Sequence, residues 1–159
     1  MIQRSLVLIK PDGVQRGLIG EILRRFEHAG LKMVGMKMVW MDKELSRKHY
    51  AAHVDKPFYP NVETYITSGP VVALVLEGVD AVENIRKLVG STEPKQSPPG
   101  TIRGDFAHMS YGYADAHDLS VKNLIHASGT PDEAKKEVAL WFEDDEIHSY
   151  KSVHDVHLL

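Results

Sequence analysis

The chain has 159 residues, of which 43% are hydrophobic and 26% are charged, the composition of an ordinary globular protein with a sizeable core. A net charge of -3 argues against nucleic-acid binding as its main purpose, and the absence of cysteine excludes disulfide bonds and thiolate chemistry. The apolar run near the start, which Lys10 ends, is too short for a signal peptide or a membrane span. We therefore expect a soluble cytoplasmic protein with no membrane partner.

Four apolar runs predict the strands. The first, at 5–10, ends in the turn sequence Pro-Asp-Gly, and the second, at 31–41, alternates with period two. The run at 70–78 is almost wholly apolar, which predicts a central strand covered on both faces. The fourth run is 119–127. The alternation in the second run predicts a strand with these side chains on one face: Val34, Met36, Met38 and Trp40.

Helices are predicted after each strand. Apolar residues at helical spacing follow the first strand and stop at Gly30, and Asp42 precedes a polar helix over 43–53. Asp80 begins a capping-box pattern. Thr130 is followed by proline and then by acidic residues, which is the clearest helix start in the chain.

The resulting order, β-α-β-α-β-α-β-α without a linker or an internal repeat, predicts one domain over 1–159, with 143–159 as a polar C-terminal extension. We favour an α+β fold with helices on one side of the sheet. This is a ferredoxin-like βαββαβ sandwich of four antiparallel strands, with added helices and a long loop at 91–105. Periodicity alone leaves a doubly wound α/β sheet as an open alternative.

His126 stands at the end of an apolar run, and the three residues that follow it are small. One interpretation is a partly buried core histidine, which is the commoner role for such a residue. The other is a nucleophile, because neutral imidazole can carry a covalent group near pH 7. That role requires access, which small neighbours provide, and a carboxylate that fixes the tautomer.

The segment 91–106 is long for a connection without secondary structure, and such segments are often functional. It contains Thr92, Thr101 and Arg103, and Arg86 precedes it. Arginine and hydroxyl groups suit phosphate oxygens, so the alternatives are a phosphate site and a plain solvated loop.

Three further residues have two interpretations each. Lys10 either marks the end of a strand or directs a charge at an anion. Tyr50 and Phe58 are either core residues or flat surfaces for a nucleobase. The P-loop and dinucleotide-binding motifs are absent. His49 and His53 lack the glutamate of a zinc-binding helix, so we interpret them as part of a polar helix face and predict no metal ligand in the protein.

Four ordered segments resemble nucleoside diphosphate kinases, in a longer form similar to archaeal members. They are IKPDGVQRGLIGEI, SGPVVALVLEG, PGTIRGDF and NLIHAS followed by EVALWF. The resemblance covers nearly the whole chain. It implies a ferredoxin-like core, a hexamer, and transfer of a phosphoryl group from a nucleoside triphosphate to a nucleoside diphosphate.

The resemblance also implies catalytic roles. His126 matches the histidine that accepts the phosphoryl group and passes it on, and Glu137 matches the glutamate that holds it, with help from Ser128. Lys10 matches the lysine that contacts the sugar hydroxyl and the transferred phosphate, and Tyr50 matches the tyrosine near the histidine.

The implied nucleotide site adds five residues to Lys10. Asn123 matches the asparagine that reads the ribose 3'-hydroxyl, and Phe58 matches the ring that stacks on the base. The phosphate-binding residues of the family fall on Arg86, Thr92 and Arg103. Stacking accepts any base, which predicts broad nucleotide use. The implied cofactor is Mg²⁺, bound mainly through nucleotide phosphates and water.

Two departures from the family pattern occur. The common HGSD is HASG here, with Ala127 and Gly129. The stretch 107–122 is several residues longer than the commonest family length, so the aliphatic residue that covers the second face of the base is left unassigned.

Two rival hypotheses use the same residues. A nucleotide- or nucleic-acid-binding module without turnover would need exposed aromatic motifs if it bound RNA, and the sequence has none. A phosphocarrier for a protein partner does not require so many phosphate-binding side chains. We expect nucleoside tri- and diphosphates as ligands, a homo-oligomer, and no nucleic acid as the primary ligand.

Overall fold

Within residues 1–157, the part of the chain described by the computed structural model, four strands form one antiparallel sheet in the order β2-β3-β1-β4. The strands are β1 (Ile2–Ile9), β2 (Lys32–Trp40), β3 (Pro70–Val79) and β4 (Ile125–Ala127). This order confirms the α+β, ferredoxin-like prediction. The doubly wound alternative is wrong, because each strand pairing is antiparallel.

Helices connect and flank the strands. They are α1 (Pro11–Gln15), α2 (Ile19–His28), α3 (Lys43–His49), α4 (Tyr59–Ile66), α5 (Ala81–Val89), α6 (Ile102–Phe106), α7 (Tyr111–Ala116), α8 (Pro131–Trp141) and α9 (His154–His157). None of the helices in the described part of the chain is long and apolar enough to cross a membrane.

Both faces of the sheet are covered, so the prediction of helices on one side is wrong. Along β1, Val7 and Ile9 pack into a cluster with α2 and α5, whereas Leu6 and Leu8 pack into a second cluster with α8 and Ile66 of α4. The alternation follows from the period of two in a strand. β3 is buried on both faces over residues 71–76, which confirms the predicted central strand.

The expected single face of β2 is interrupted. Val34 is buried in the second cluster, but Met36, Met38 and Trp40 are exposed. The pairing of β2 with β3 shifts register between Met33 and Gly35, and this bulge changes the alternation. The three exposed side chains therefore form an apolar strip on an edge strand.

Three predicted helix starts are confirmed, and the turn predicted after the first strand is wrong. The side chains of Asp42 and Thr130 accept backbone hydrogen bonds from α3 and α8, as predicted. Asp80 also directly precedes its helix, α5, but without the predicted capping box: its backbone is left-handed, with φ of 43°, and its carboxylate accepts a bond from the amino group of Met1. The sequence that starts at Pro11 begins α1 rather than a simple turn, because proline suits the first turn of a helix.

The fourth strand is shorter than predicted. Leu124 is buried with φ of 69°, a left-handed conformation that breaks an extended chain, so β4 contains only Ile125–Ala127. The predicted loop at 91–105 also contains a 3-10 turn at Pro94–Gln96 and the start of α6. In the C-terminal extension, the backbone N–H of His148 donates to the carbonyl of Val34. Residues 158 and 159 of the predicted extension lie outside the described residues.

Candidate active site

His126 lies on β4 with its side chain on the face covered by α8. It pairs with Leu8 across the sheet, and Leu8 belongs to the cluster on that face. Glu137 of α8 lies beside it, with carboxylate oxygens 3.0 and 3.1 Å from His126 Nε2. Because a carboxylate only accepts, Nε2 carries the proton and Nδ1 retains its lone pair.

Ser128 binds the same carboxylate. Its hydroxyl donates to Glu137 Oε2 at 2.6 Å and accepts a bond from the backbone N–H of Leu6 at 3.2 Å. Burial raises the pKa of Glu137, but hydrogen bonds from His126 and Ser128 outweigh it and leave the pKa below its ordinary value. The carboxylate is therefore ionised at neutral pH.

The glycine after the serine has a local explanation. The backbone N–H of Gly129 donates to Glu133 Oε2 at 3.0 Å. A Cβ atom at this position would lie 2.5 Å from that oxygen, so a larger residue requires the Glu133 side chain to move. The glycine that replaces the usual aspartate of the family at position 129 therefore affects the start of α8 rather than the imidazole.

A second group of predicted residues surrounds Asn123, which is buried. Its side-chain oxygen accepts a bond from Lys10 Nζ at 2.7 Å, and its amide nitrogen donates to the carbonyl of Thr92 at 2.8 Å. Arg103 is also buried and donates to the backbone carbonyls of Asn123 and Ile125. These bonds bring Lys10, Thr92 and Arg103 next to the strand that carries His126.

Positive charge accumulates in this second group. Burial, followed by the charge of Arg103, lowers the pKa of Lys10 to about 7, although Asp12 opposes the shift. Burial and the charge of Arg86 lower the pKa of Arg103 to about 10. Within residues 1–157, none of the three cations forms a salt bridge with a carboxylate. The site therefore favours an anionic ligand.

The remaining predicted residues lie around these two groups. Arg86 is in the last turn of α5. Tyr50 follows α3, and burial, the largest influence, raises the pKa of its hydroxyl well above the ordinary value. Phe58 precedes α4 and is 53% exposed, and the ring of the adjacent Tyr59 lies 6.3 Å from that of Tyr50.

Residues 3–147 match the family model described as "Nucleoside diphosphate kinase". The chain belongs to the nucleoside diphosphate kinase family. It is therefore a phosphotransferase, and the family favours a kinase over the binding module and the phosphocarrier. The chain is 52% identical over 153 residues to a nucleoside diphosphate kinase of Pyrococcus abyssi, covering 96% of this chain and 92% of the relative.

Solved structures of nucleoside diphosphate kinases share the fold. The enzyme of Borrelia burgdorferi, described as a transition state mimic with bound vanadate and ADP, has a TM-score of 0.94 and 42% identity, covering 98% of this chain and 96% of that one. The enzyme of Halobacterium salinarum in complex with CDP has a TM-score of 0.89 and 45% identity, covering 100% and 99%.

Sequence reasoning misassigned one histidine of this kinase. His49 was predicted on a polar helix face with His53, but α3 ends at His49, and His53 lies beyond it and is exposed. The ring of His49 lies 4.6 Å from that of His126, and Trp141 donates to it. No local pattern signals this contact, because His49 and Trp141 are 92 positions apart in the chain.

One cluster within the described residues has the composition of a metal site. His49, His126 and Glu137 place one ligand atom each within 4.8 Å of one another. Two imidazoles and a carboxylate suit a transition metal, whereas Mg²⁺ prefers oxygen ligands. Asp12, the acid whose charge acts on Lys10, already accepts bonds from Tyr65 and from the backbone of Leu124.

Proposed function

We propose that the protein transfers the terminal phosphoryl group of a nucleoside triphosphate to a nucleoside diphosphate in two steps, through a phosphohistidine at His126. One observation carries the proposal: the bond from Nε2 to Glu137 leaves the lone pair of Nδ1 free for attack. The side chain of His126 is 21% exposed, which supports access of a ligand to the ring.

In the first step, Nδ1 forms a bond to the terminal phosphorus as the bond between that phosphorus and its bridging oxygen breaks. The nucleoside diphosphate leaves with the electron pair of the broken bond. Positive charge develops on the imidazole, and the ionised Glu137 stabilises it while Ser128 holds the carboxylate in place. In the second step, a terminal oxygen of another diphosphate attacks the phosphorus, and Nδ1 regains its lone pair.

The cationic group is the proposed phosphate site. Lys10, Arg86 and Arg103 offset the charge of the phosphates, and the hydroxyl of Thr92 donates to them. The resemblance implies Mg²⁺, which would be held mainly by nucleotide phosphates and water, and the bonds that the carboxylate of Asp12 already accepts support this expectation. When bound, this cation would offset further phosphate charge.

Two residues orient the rest of the nucleotide. The resemblance assigns Asn123 to the ribose 3'-hydroxyl, and the bonds of its amide to Lys10 and Thr92 support a position beside the proposed phosphate site. The exposed ring of Phe58 offers a stacking surface that accepts any base, so we expect broad nucleotide use.

The chain is also expected to form a homo-oligomer, with a hexamer implied by the resemblance. The exposed side chains of Met36, Met38 and Trp40 on edge strand β2 support self-association, since exposed apolar edges pair readily. A cytoplasmic location remains a prediction.

Labelling tests the two steps directly. The protein is incubated with γ-labelled ATP and Mg²⁺, freed of nucleotide, and examined for an acid-labile, base-stable label. We expect a label that GDP removes, that is absent in His126→Ala, and that persists in the control His28→Ala, which alters an exposed histidine of α2. Full transfer by His126→Ala would contradict the assignment of the nucleophile. A label that GDP cannot remove would favour the phosphocarrier.

A further inference from the structure

A second histidine, His49, lies directly against His126. The two ring centroids are 4.6 Å apart and the ring planes are nearly perpendicular, at 82°. The indole N–H of Trp141 donates to His49 Nδ1 at 3.1 Å. The other ring nitrogen, Nε2, is buried and has no hydrogen-bond partner among the described residues.

The indole fixes the tautomer of His49. Because the tryptophan nitrogen can only donate, Nδ1 of His49 must carry a lone pair, and the proton of the neutral ring is on Nε2. In a doubly protonated ring, the N–H at Nδ1 of His49 would face the indole N–H of Trp141, and the hydrogen bond between them would be lost. Thus the bond opposes protonation of His49.

The surroundings of His49 act in the same direction. His126 of β4, Glu137 of α8, Lys10 and Tyr50 are the titratable groups that face it. Burial, and after it the charge of His126, lower the pKa of His49 to about 3, while Glu137 opposes the shift. His49 is therefore uncharged throughout the neutral range.

We propose that His49 and Trp141 are positioning residues for His126: Trp141 holds His49 in one uncharged tautomer, and the ring of His49 holds the imidazole of His126. This inference rests on the proposed function. Trp141 and Glu137 are four residues apart on α8 and lie on the same side of it. One helix face thus fixes His126 twice, at Nε2 through Glu137 and at its ring through His49.

The absence of charge on His49 has a catalytic consequence. A positive charge at this position would compete with His126 for Glu137. It would also oppose the positive charge that develops on His126 during transfer. Keeping His49 neutral therefore leaves the negative charge of Glu137 to stabilise the charge on His126.

The same tautomer argues against a metal in this cluster. A transition metal bound by His49, His126 and Glu137 would need the lone pair of His49 Nε2. That nitrogen carries the proton as long as Trp141 donates to Nδ1. Zn²⁺ is therefore expected to bind weakly here, and this gives an independent test.

The decisive variant is Trp141→Phe, which removes the N–H donor and keeps an aromatic ring. Without the donor, protonation of His49 becomes easier. The pKa of His49, about 3 in the wild type, should rise by about one unit, so we expect kcat to be about twofold lower near pH 4, unchanged at pH 6 and above, with KM nearly unchanged. The control is Trp40→Phe, which removes an indole bond from β2 to the backbone carbonyl of Thr67.

A double variant identifies the titrating group. In His49→Phe/Trp141→Phe the acid limb should return to its wild-type position, because no imidazole is left at 49 to protonate. A purely structural role of Trp141 would lower kcat equally at each pH, and that result would overturn the proposal. Persistence of the shift in the double variant would also overturn it.

Two measurements on the wild-type protein do not depend on how the variants fold. Nitrogen NMR of ¹⁵N-histidine-labelled protein should show one ring with its proton on Nε2 and no titration down to about pH 5. A His49 ring that titrates above that pH, or tight binding of Zn²⁺ that His49→Phe abolishes, would refute the tautomer assignment. If the wild type formed no phosphohistidine, the proposed function itself would fail, a result distinct from each of these.

Discussion

The two parts of the site differ in how their polar groups are satisfied. Around His126, the carboxylate of Glu137 and the hydroxyl of Ser128 form a closed set of hydrogen bonds anchored on β1. Around Asn123, the cations Lys10 and Arg103 donate to amide and backbone oxygens. The first part is complete without a ligand, whereas the second has excess positive charge that a phosphate chain would balance. The nucleophile is thus oriented before the substrate arrives.

The largest expected effect comes from removing the negative charge of Glu137, in the group of residues around His126. Glu137→Gln keeps the shape of the side chain but loses the charge that stabilises the developing imidazolium. We expect kcat to fall by about 10²-fold with little change in KM, since the interaction strengthens in the transition state.

Steady-state kinetics at neutral pH check this prediction. Glu133→Gln is the matched control, because Glu133 lies on the same helix and contacts the backbone of Gly129 rather than His126. Equal losses of kcat in the two variants would show that the effect comes from α8 and not from the charge next to the histidine.

A smaller effect is expected in the group around Asn123, where the titration of Lys10 should couple nucleotide binding to proton uptake. Its pKa of about 7 in the free protein means that it is largely neutral at pH 8. A phosphate beside it favours the charged form, so nucleotide binding at pH 8 should take up a proton, and binding at pH 6 should not. Calorimetry in two buffers of different ionisation enthalpy measures the uptake. Lys10→Met should abolish it, and uptake that persists in this variant would assign the proton to another group.

The same lysine affects stability. Its folded pKa is lower than its unfolded value, so the unfolded chain binds more protons between about pH 7 and pH 10. The free energy of unfolding should therefore increase with pH in this window for the wild type, relative to Lys10→Met. Denaturant titrations at pH 7 and pH 9 measure the difference, and a slope of opposite sign would contradict the burial of Lys10.

The smallest expected effect concerns the long segment at 107–122. Asn61 of α4 donates to the carboxylate of Asp118 at 2.8 Å, which links the helix after Phe58 to this segment. A bond near the surface contributes about 0.5 kcal/mol, so Asn61→Ala should change KM about twofold and leave kcat unchanged. Asn84→Ala, which removes a bond to the carbonyl of Val79, serves as control. A change above about tenfold would mean that the segment contacts the nucleotide directly.

Local signals in the sequence predicted some elements well. The continuous apolar run of β3 and the cap at Thr130 depend on neighbouring residues, and the structure has them where expected. Residue types and spacing marked several of the site positions as candidates, but the roles proposed for them came from the resemblance. Spacing alone left His126 open between a core residue and a nucleophile.

Other features could not be read from local patterns. The bulge near Val34 arises from the pairing of two strands, and the short β4 results from the left-handed backbone of Leu124. The environment of His49 depends on Trp141, which is 92 positions away in the chain. Period and spacing carry no information on contacts of this kind, and so a polar helix face was predicted for His49.

The left-handed backbone at Leu124 links activity to stability. Such a conformation costs a non-glycine residue about 1–3 kcal/mol, and surrounding bonds must maintain it. Arg103 donates to the carbonyls on each side of it, at Asn123 and Ile125, and is also a proposed phosphate ligand. Replacements of Arg103 will therefore change the melting temperature and the turnover together. Selection for a more stable protein cannot alter this arginine without changing the position of the nucleophile.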